Sequence, residues 1–159
     1  KPAPPEQENR LWYQYYFQLV RGRAGLTANR REIARILWRQ WSPNWNFDQA
    51  TFERTVQAHD NPDYVDVVIH SYRHRFGLAE GDPQYADLQR RLAALPAITV
   101  STITLDGDAD GIMPPTDGTA SAAKFTGRRI HRVIERAGHN LPQEEPQAFA
   151  AAVMELVEA

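Results

Sequence analysis

The sequence predicts an α/β protein in which a helical region is followed by a short alternation of strands and helices. Residues 1–95 carry apolar side chains at helical spacing, interrupted by glycine and proline. From residue 96 the pattern changes, because "AITVSTITL" is apolar and β-branched without a helical period. A small-residue helix then leads to a second strand-like stretch, "RRIHRVIER". We therefore predict a helical domain over residues 1–95 and an incomplete parallel sheet, strand–helix–strand–helix, over residues 96–159.

Five helices are expected in the first region. The stretch "ENRLWYQYYFQLVRG" has the spacing of one helix that stops near Gly22 or Gly25. The second helix, "TANRREIARILWRQW", has Thr27 as a candidate cap, and "FDQATFERTVQAH" forms a short third helix. Two Asx-Pro dipeptides open the fourth and fifth helices: Asn61-Pro62 and Asp82-Pro83. In the second region, the last helix is expected to bury Phe149, Val153, Leu156 and Val157.

Length, charge and cysteine content exclude several classes of protein. A chain of 159 residues is long enough to bury a core without disulfides or structural metals. It contains no cysteine, which excludes thiolate chemistry and fits a cytoplasmic location. Its 18 basic and 20 acidic residues give a net charge of -2, so nothing favours a nucleic acid or membrane partner. No apolar run approaches the roughly 18 residues of a membrane-spanning helix.

The acidic stretch at residues 105–117, "LDGDADGIMPPTD", admits two interpretations. Asp106, Asp108 and Asp110 alternate, Gly111 follows, and Asp117 stands twelfth, which is nearly the spacing of a calcium-binding EF-hand loop. Against calcium, the upstream flank "TVSTITL" is strand-like rather than helical, and two prolines interrupt the loop. A calcium-binding module at residues 106–117 is therefore the alternative, not the preferred interpretation.

The preferred interpretation places a catalytic acid at the end of a strand. Gly107 allows a tight exit turn, and Asp110 then lies at the carboxyl end of the first strand. His139 follows the second strand and Gly138, so two neighbouring strand ends can bring this histidine to Asp110. A carboxylate that orients an imidazole is the acid–base half of a catalytic triad, and this chain order is the one found in α/β-hydrolases.

These two motifs resemble the C-terminal third of an α/β-hydrolase, which has a strand, Gly-x-x-Asp, a proline and later Gly-His before the last helix. The matching positions are Gly107, Asp110, Pro114, Gly138 and His139. The helical region resembles the cap domain of the epoxide hydrolase and haloalkane dehalogenase branch. Within it, "WYQYYFQ" is similar to the cap motif of epoxide hydrolases, in which a tyrosine precedes the first glutamine. That tyrosine is Tyr13 here.

The resemblance implies a division of roles among a few residues. His139 would activate water to hydrolyse an ester formed on an aspartate nucleophile, and Asp110 would hold His139. Tyr13 would donate a hydrogen bond to the developing alkoxide, since a phenol stays protonated at neutral pH. Tyr64 and Tyr72 are both candidates for a second donor, and Trp12 is a candidate to line the substrate site. No metal and no cofactor is predicted; His70 and His74 lack the nearby carboxylate of a zincin-type pattern.

One departure from the family pattern limits the prediction. No Gly-x-Ser-x-Gly or Gly-x-Asp-x-Gly turn, which would carry the nucleophile, occurs in the 159 residues. We therefore expect a fragment of a larger enzyme acting on a small molecule, inactive alone. Its exposed face would be covered by a missing N-terminal half or by a second copy. A serine nucleophile, which would make the enzyme an esterase, stays open.

Overall fold

The computed structural model describes residues 2–158, and the chain divides into two compact units. The first, here called the helical unit, comprises Lys1–Gln40 and Asn46–Asp82. The second, here called the sheet unit, comprises Trp41–Trp45 and Pro83–Ala159. Residues 41–45 and 83–95 are therefore part of the same compact unit as the strands. Among the described residues, no helix combines the length and apolar character needed to cross a membrane.

Short helices joined by tight turns build the helical unit. They are α1 (Pro5–Arg10), α2 (Trp12–Tyr16), α3 (Val20–Ala28), α4 (Arg30–Trp41), α5 (Gln49–Val56) and α6 (Tyr64–Arg75), with a 3₁₀ turn at Gln57–Asp60. Helix α4 ends just before Ser42-Pro43, because proline cannot continue a helix. Asp48 caps α5 by accepting a hydrogen bond from the Thr51 amide at 2.6 Å.

The prediction of one continuous first helix is wrong. The chain breaks after Tyr16, and Gly22 and Gly25 lie inside α3 instead of ending a helix. A Cβ atom on Gly22 would collide with the carbonyl of Tyr16, and one on Gly25 would collide with the Tyr16 hydroxyl. The two glycines therefore let α3 fold closely against α2. Thr27 also lies within α3, where its hydroxyl donates to the Arg23 carbonyl at 2.9 Å instead of capping α4.

One apolar cluster of the helical unit lies between α4 and α5. Ala34, Phe52 and Val56 are buried, and Trp38 and Phe47 pack around them. The Trp38 ring meets Phe47 and Phe52 edge-on, at centroid distances of 5.2 and 5.5 Å. Such edge-to-face contacts stabilise aromatic clusters beyond the effect of burial alone.

The sheet unit contains two parallel strands, β1 (Thr102–Gly107) and β2 (Arg129–Ile134), as predicted. They pair in register from Thr102 with Arg129 to Gly107 with Ile134. The helices of this unit are α7 (Ala86–Ala93), α8 (Thr119–Ala122), α9 (Leu141–Glu144) and α10 (Pro146–Val157), and a 3₁₀ turn at Pro83–Tyr85 precedes α7. Because the strands are parallel, α8 belongs to a crossover connection, and both strands end at the same edge of the sheet.

The expected burial of the sheet unit is only partly realised. β1 is half-buried, and Phe149, Val153 and Val157 of α10 are exposed, whereas Ala152 is buried. In the described chain β1 pairs with β2 alone, so its other edge has no neighbouring strand. Phe149 and Val153 line an open groove together with Ile103 and Leu105 of β1.

Candidate active site

The loop that leaves β1 runs directly beside the segment that leaves β2. The amide of Asp108 donates to the Ile134 carbonyl at 3.1 Å, and the amide of Ala109 donates to the Ala137 carbonyl at 2.9 Å. A Cβ atom at Gly107 would collide with that same Ala137 carbonyl, so only glycine permits this approach. The strand ends thereby hold the acid loop and the histidine segment against each other.

Asp110 and His139 meet at this edge of the sheet. Asp110 Oδ2 lies 2.8 Å from His139 Nδ1, while Asp110 Oδ1 accepts the amides of Ile112 at 2.7 Å and Met113 at 2.9 Å. The carboxylate is 12% exposed and the imidazole 40% exposed. Because an ionised carboxylate only accepts, Nδ1 carries the proton, and Nε2 of the neutral ring has the lone pair of a base.

Two open spaces adjoin His139. A cavity of about 200 Å³ is lined by Asp110, His139, Met113 and Pro114, among others. A more apolar groove of about 410 Å³ extends from His139 along β1 and α10. The imidazole is therefore accessible from a side where a reacting molecule can be placed.

A short segment far away in the sequence anchors both partners. The Trp41 carbonyl accepts the amide of Gly111 at 2.9 Å and the amide of His139 at 3.1 Å. The Trp41 ring also meets the imidazole edge-on, with centroids 5.5 Å apart. Next to it, Ser42 is buried, and its hydroxyl accepts the side-chain amide of Asn140 at 3.0 Å. One carbonyl thus fixes the relative position of the acid loop and the histidine.

Glu144 stabilises the segment around His139 through two hydrogen bonds. Its carboxylate accepts the amide of Gly138 at 2.8 Å through Oε2 and the amide of Asn140 at 2.9 Å through Oε1. Sequence reasoning missed Glu144, although Asn140 and Pro142 together signal a helix start and place this carboxylate one turn later. It also missed Trp41 and Ser42, for which the linear pattern contains no signal.

The acidic loop does not have the geometry of an EF-hand. It begins on a strand instead of a helix, and its carboxylates each serve different donors. Apart from Asp110, the pairs are Asp106 with Thr116, Asp108 with the amide of Arg136, and Asp117 with Thr119. Within residues 2–158, no group of three or more acidic or histidine side chains is placed to hold a metal ion. In this structure the carboxylates of the acidic loop do not converge on one point.

In the helical unit, Tyr13 and Tyr72 lie together. Tyr13 is buried in α2, and its ring meets the Tyr72 ring edge-on at a centroid distance of 5.6 Å. Burial, with smaller contributions from the charge of Tyr13 and a side-chain hydrogen bond with it, raises the pKa of Tyr72 to about 12. Gln14 Nε2 donates to the Tyr13 hydroxyl at 3.3 Å. Of the two candidates for a second tyrosine, Tyr72 is the one paired with Tyr13.

The other two predicted substrate-binding residues have different neighbours. Tyr64 stacks on His59 with centroids 4.4 Å apart, and burial raises the pKa of its phenol. Trp12 donates from Nε1 to Gln40 at 2.9 Å and packs its ring against Tyr16. Both side chains are occupied within the helical unit, and their proposed contact with substrate stays a prediction.

Comparison with known proteins gives a consistent fold. A solved structure of a "putative epoxide hydrolase" from Klebsiella pneumoniae is 47% identical, covers this whole chain and superposes with a TM-score of 0.94. Cfl2 from Burkholderia cenocepacia superposes over 98% of the chain with a TM-score of 0.70 at 18% identity, which shows shared fold alone. No protein-family model and no curated protein matches. The chain spans 53% and 50% of the two solved structures. It has an epoxide-hydrolase-like fold.

Proposed function

We propose that this chain is part of an α/β-hydrolase that converts epoxides to diols. The observation that carries the proposal is the 2.8 Å contact between Asp110 Oδ2 and His139 Nδ1, at the carboxyl ends of two parallel strands. The similarity to the Klebsiella pneumoniae protein supports the choice of substrate class. The chain matches about half of that protein, so the proposal concerns an enzyme longer than these residues.

In the proposed reaction, His139 acts as a general base on water. Asp110 accepts the Nδ1 proton, which keeps the lone pair on Nε2 and stabilises the imidazolium that forms. His139 Nε2 takes a proton from water, and the resulting hydroxide attacks the carbonyl carbon of an enzyme-bound ester. The ester C–O bond breaks, the diol and the free carboxylate are released, and the proton gained by His139 returns through solvent to the tyrosinate that epoxide opening leaves.

The preceding step forms that ester. A carboxylate nucleophile, which we place outside residues 1–159, attacks one carbon of the epoxide and breaks its C–O bond. The negative charge develops on the leaving oxygen, which takes a proton from a phenol. Tyr13 and Tyr72 are proposed as the phenols, since their rings are paired and Tyr72 stays protonated well above neutral pH.

The test is to give an aryl epoxide to the full-length enzyme and to its His139→Ala variant. The wild-type enzyme is expected to produce diol over many turnovers. In the variant, the carboxylate still opens the epoxide, but no base activates water. The variant should therefore accumulate covalent adduct, seen by intact mass spectrometry as the enzyme plus one epoxide.

Other outcomes point to other chemistry. If the enzyme hydrolyses aryl esters but leaves epoxides unchanged, and His139→Ala forms no adduct, the nucleophile is a serine that itself needs the histidine. The 159-residue chain tested alone is expected to show no turnover, because it supplies the base without a nucleophile. Multiple turnover by the chain alone, lost in His139→Ala, would contradict our assignment of the nucleophile.

A further inference from the structure

A polar network connects β1, β2 and the acid loop within the sheet unit. His131 lies at its centre on β2, with a side chain that is 15% exposed. Its Nε2 lies 2.8 Å from the Thr116 carbonyl, and its Nδ1 lies 2.9 Å from the Thr104 hydroxyl. A carbonyl oxygen only accepts, so Nε2 of the neutral ring donates to Thr116, and Nδ1 accepts from Thr104. The ring therefore ties the end of the acid loop to both strands.

The same loop end is tied back to its own beginning. Asp106 Oδ2 accepts both the amide and the hydroxyl of Thr116, each at 2.9 Å. Asp106 is part of β1, so the carboxylate closes a loop of ten residues against the strand from which it leaves. The His131 imidazole lies 3.8 Å from this carboxylate, so the three side chains form one cluster.

The backbone next to Thr116 is shaped to admit the His131 ring. Gly118 has a φ of 73°, and a Cβ atom there would lie 2.7 Å from His131 Cγ. A larger residue would be strained at that φ and would push the ring away from Thr116. Arg129 holds the same turn by donating to the Gly118 carbonyl at 2.7 Å and to the Thr104 hydroxyl at 3.2 Å. The contact between His131 and Thr116 is thus supported from both sides.

Asp110 lies inside the loop that this cluster closes. The two amides that orient its carboxylate, those of Ile112 and Met113, belong to the same loop. If Thr116 moved, those amides would move with it. The Asp110 carboxylate would then no longer be held in hydrogen-bonding position for His139. We propose that His131, acting through Thr116 and Asp106, is a positioning residue that holds Asp110 against His139. Its catalytic consequence rests on the function proposed above, whereas its structural effect does not.

The readout is the tautomer of His139, measured by ¹⁵N NMR on the enzyme labelled with ¹⁵N-histidine. In the wild-type enzyme, the contact with Asp110 holds the neutral ring as the Nδ1–H form. In His131→Phe, which cannot donate to Thr116, the share of Nδ1–H His139 should fall markedly. His131→Gln keeps an amide donor near the position of Nε2 and should restore most of that share.

A second pair of variants tests the cluster without changing β2. Thr116 is exposed, so Thr116→Val should fold, yet it removes the hydroxyl that Asp106 accepts. It should lower the Nδ1–H share of His139, whereas Thr116→Ser should not. The control is Arg132→Met, which removes the 2.6 Å ion pair with Glu155 from the neighbouring position of β2. This control should leave the tautomer unchanged even if it lowers the melting temperature.

In epoxide hydrolysis, the His131→Phe and Thr116→Val variants should lose on the order of ten-fold in kcat with little change in KM, as supporting contacts behind a reactive group typically do. An unchanged His139 tautomer in a folded His131→Phe enzyme would overturn the positioning role, because that variant loses the bond to the Thr116 carbonyl. A changed tautomer in an enzyme that hydrolyses no epoxide would keep the positioning role and reject the proposed function. The two proposals therefore fail separately.

Discussion

The helical unit and the sheet unit bury their apolar side chains to different extents. In the helical unit, Phe52 of α5 is 1% exposed, and Val56 at the end of the same helix is fully buried. In the sheet unit, Phe149 is 42% exposed, and an open apolar groove follows β1 and α10. The helical unit has a core of its own, whereas the sheet unit leaves one apolar face uncovered.

The polar contacts of the named side chains also differ between the two units. The sheet unit holds Asp110 and His139 with backbone amides, a shared Trp41 carbonyl and the Glu144 carboxylate. In the helical unit, the Tyr13 and Tyr72 rings pack edge-on, and Gln14 donates one hydrogen bond to the Tyr13 hydroxyl. The comparison shows that a reactive pair can be fully oriented by local hydrogen bonds at one edge of a sheet while the opposite apolar face is unfinished. The contact between Asp110 and His139 is thus formed although the apolar groove along β1 and α10 is open.

The sharpest way to break this comparison is to remove the orienting charge. Asp110→Asn keeps an oxygen for the amides of Ile112 and Met113, but it can present an NH₂ donor to His139 Nδ1, which favours the wrong tautomer. We expect epoxide hydrolysis by the full-length enzyme to fall by about 10⁴-fold, as for the equivalent change in a catalytic triad. Initial rates at saturating substrate measure the effect.

Asp108→Asn is the matched control for that variant. Asp108 Oδ1 accepts the Arg136 amide at 2.5 Å, and an asparagine oxygen can accept the same bond. Its turnover should stay within about two-fold of wild type, since Asp108 is exposed and the asparagine oxygen keeps the contact with the Arg136 amide. If Asp108→Asn were the more damaging change, the orienting acid would be misassigned.

The difference in burial predicts unequal costs for two phenylalanines. Phe52→Ala should lower the free energy of unfolding by about 3–5 kcal/mol, because it leaves a cavity in a closed core. Phe149→Ala should cost less, about 1–2 kcal/mol in the 159-residue chain, because 42% of this residue is already exposed. Urea denaturation followed by circular dichroism measures both.

The same pair sharpens the comparison when it is placed in a longer protein. If additional strands cover the apolar face, Phe149→Ala should become nearly as costly as Phe52→Ala. A Phe149→Ala cost that stays small in the full-length enzyme would mean that this face is not part of its core.

Sequence patterns predicted the parts of the molecule that depend on local spacing. The β-branched runs predicted two parallel strands, because a helix-containing connection forces that direction. The Gly-x-x-Asp and Gly-His motifs placed Asp110 and His139 at neighbouring strand ends, where the structure brings them within hydrogen-bonding distance.

The remaining features depend on contacts that spacing does not encode. Ser42 and Asn140 are 98 residues apart, and no local pattern links them. Glycine often ends a helix, so the sequence predicts helix stops at Gly22 and Gly25. In the structure these glycines instead leave room for the backbone and hydroxyl of Tyr16, a contact that local spacing does not encode. The apolar side chains of α10 indicate that this face needs to be covered, but the sequence of α10 does not say by what.

The smallest effect that we predict separates the two candidate tyrosines by titration. Burial and Tyr13 raise the pKa of Tyr72 to about 12, above the value of about 10 for an unfolded chain. A raised pKa in the folded state means that Tyr72 stabilises the fold below pH 10 and that this contribution is lost as the pH rises from about 10 to about 12. The absorbance change when Tyr72 ionises near pH 12 is measured by comparing the wild-type enzyme with Tyr72→Phe.

This high-pH step in tyrosinate absorbance should disappear in Tyr72→Phe and persist in Tyr64→Phe, since the two phenols have different neighbours. If Tyr64→Phe removed the high-pH step instead, Tyr64 would be the more shielded phenol, and the pairing of Tyr13 with Tyr72 would lose its support as the proton donor for epoxide opening.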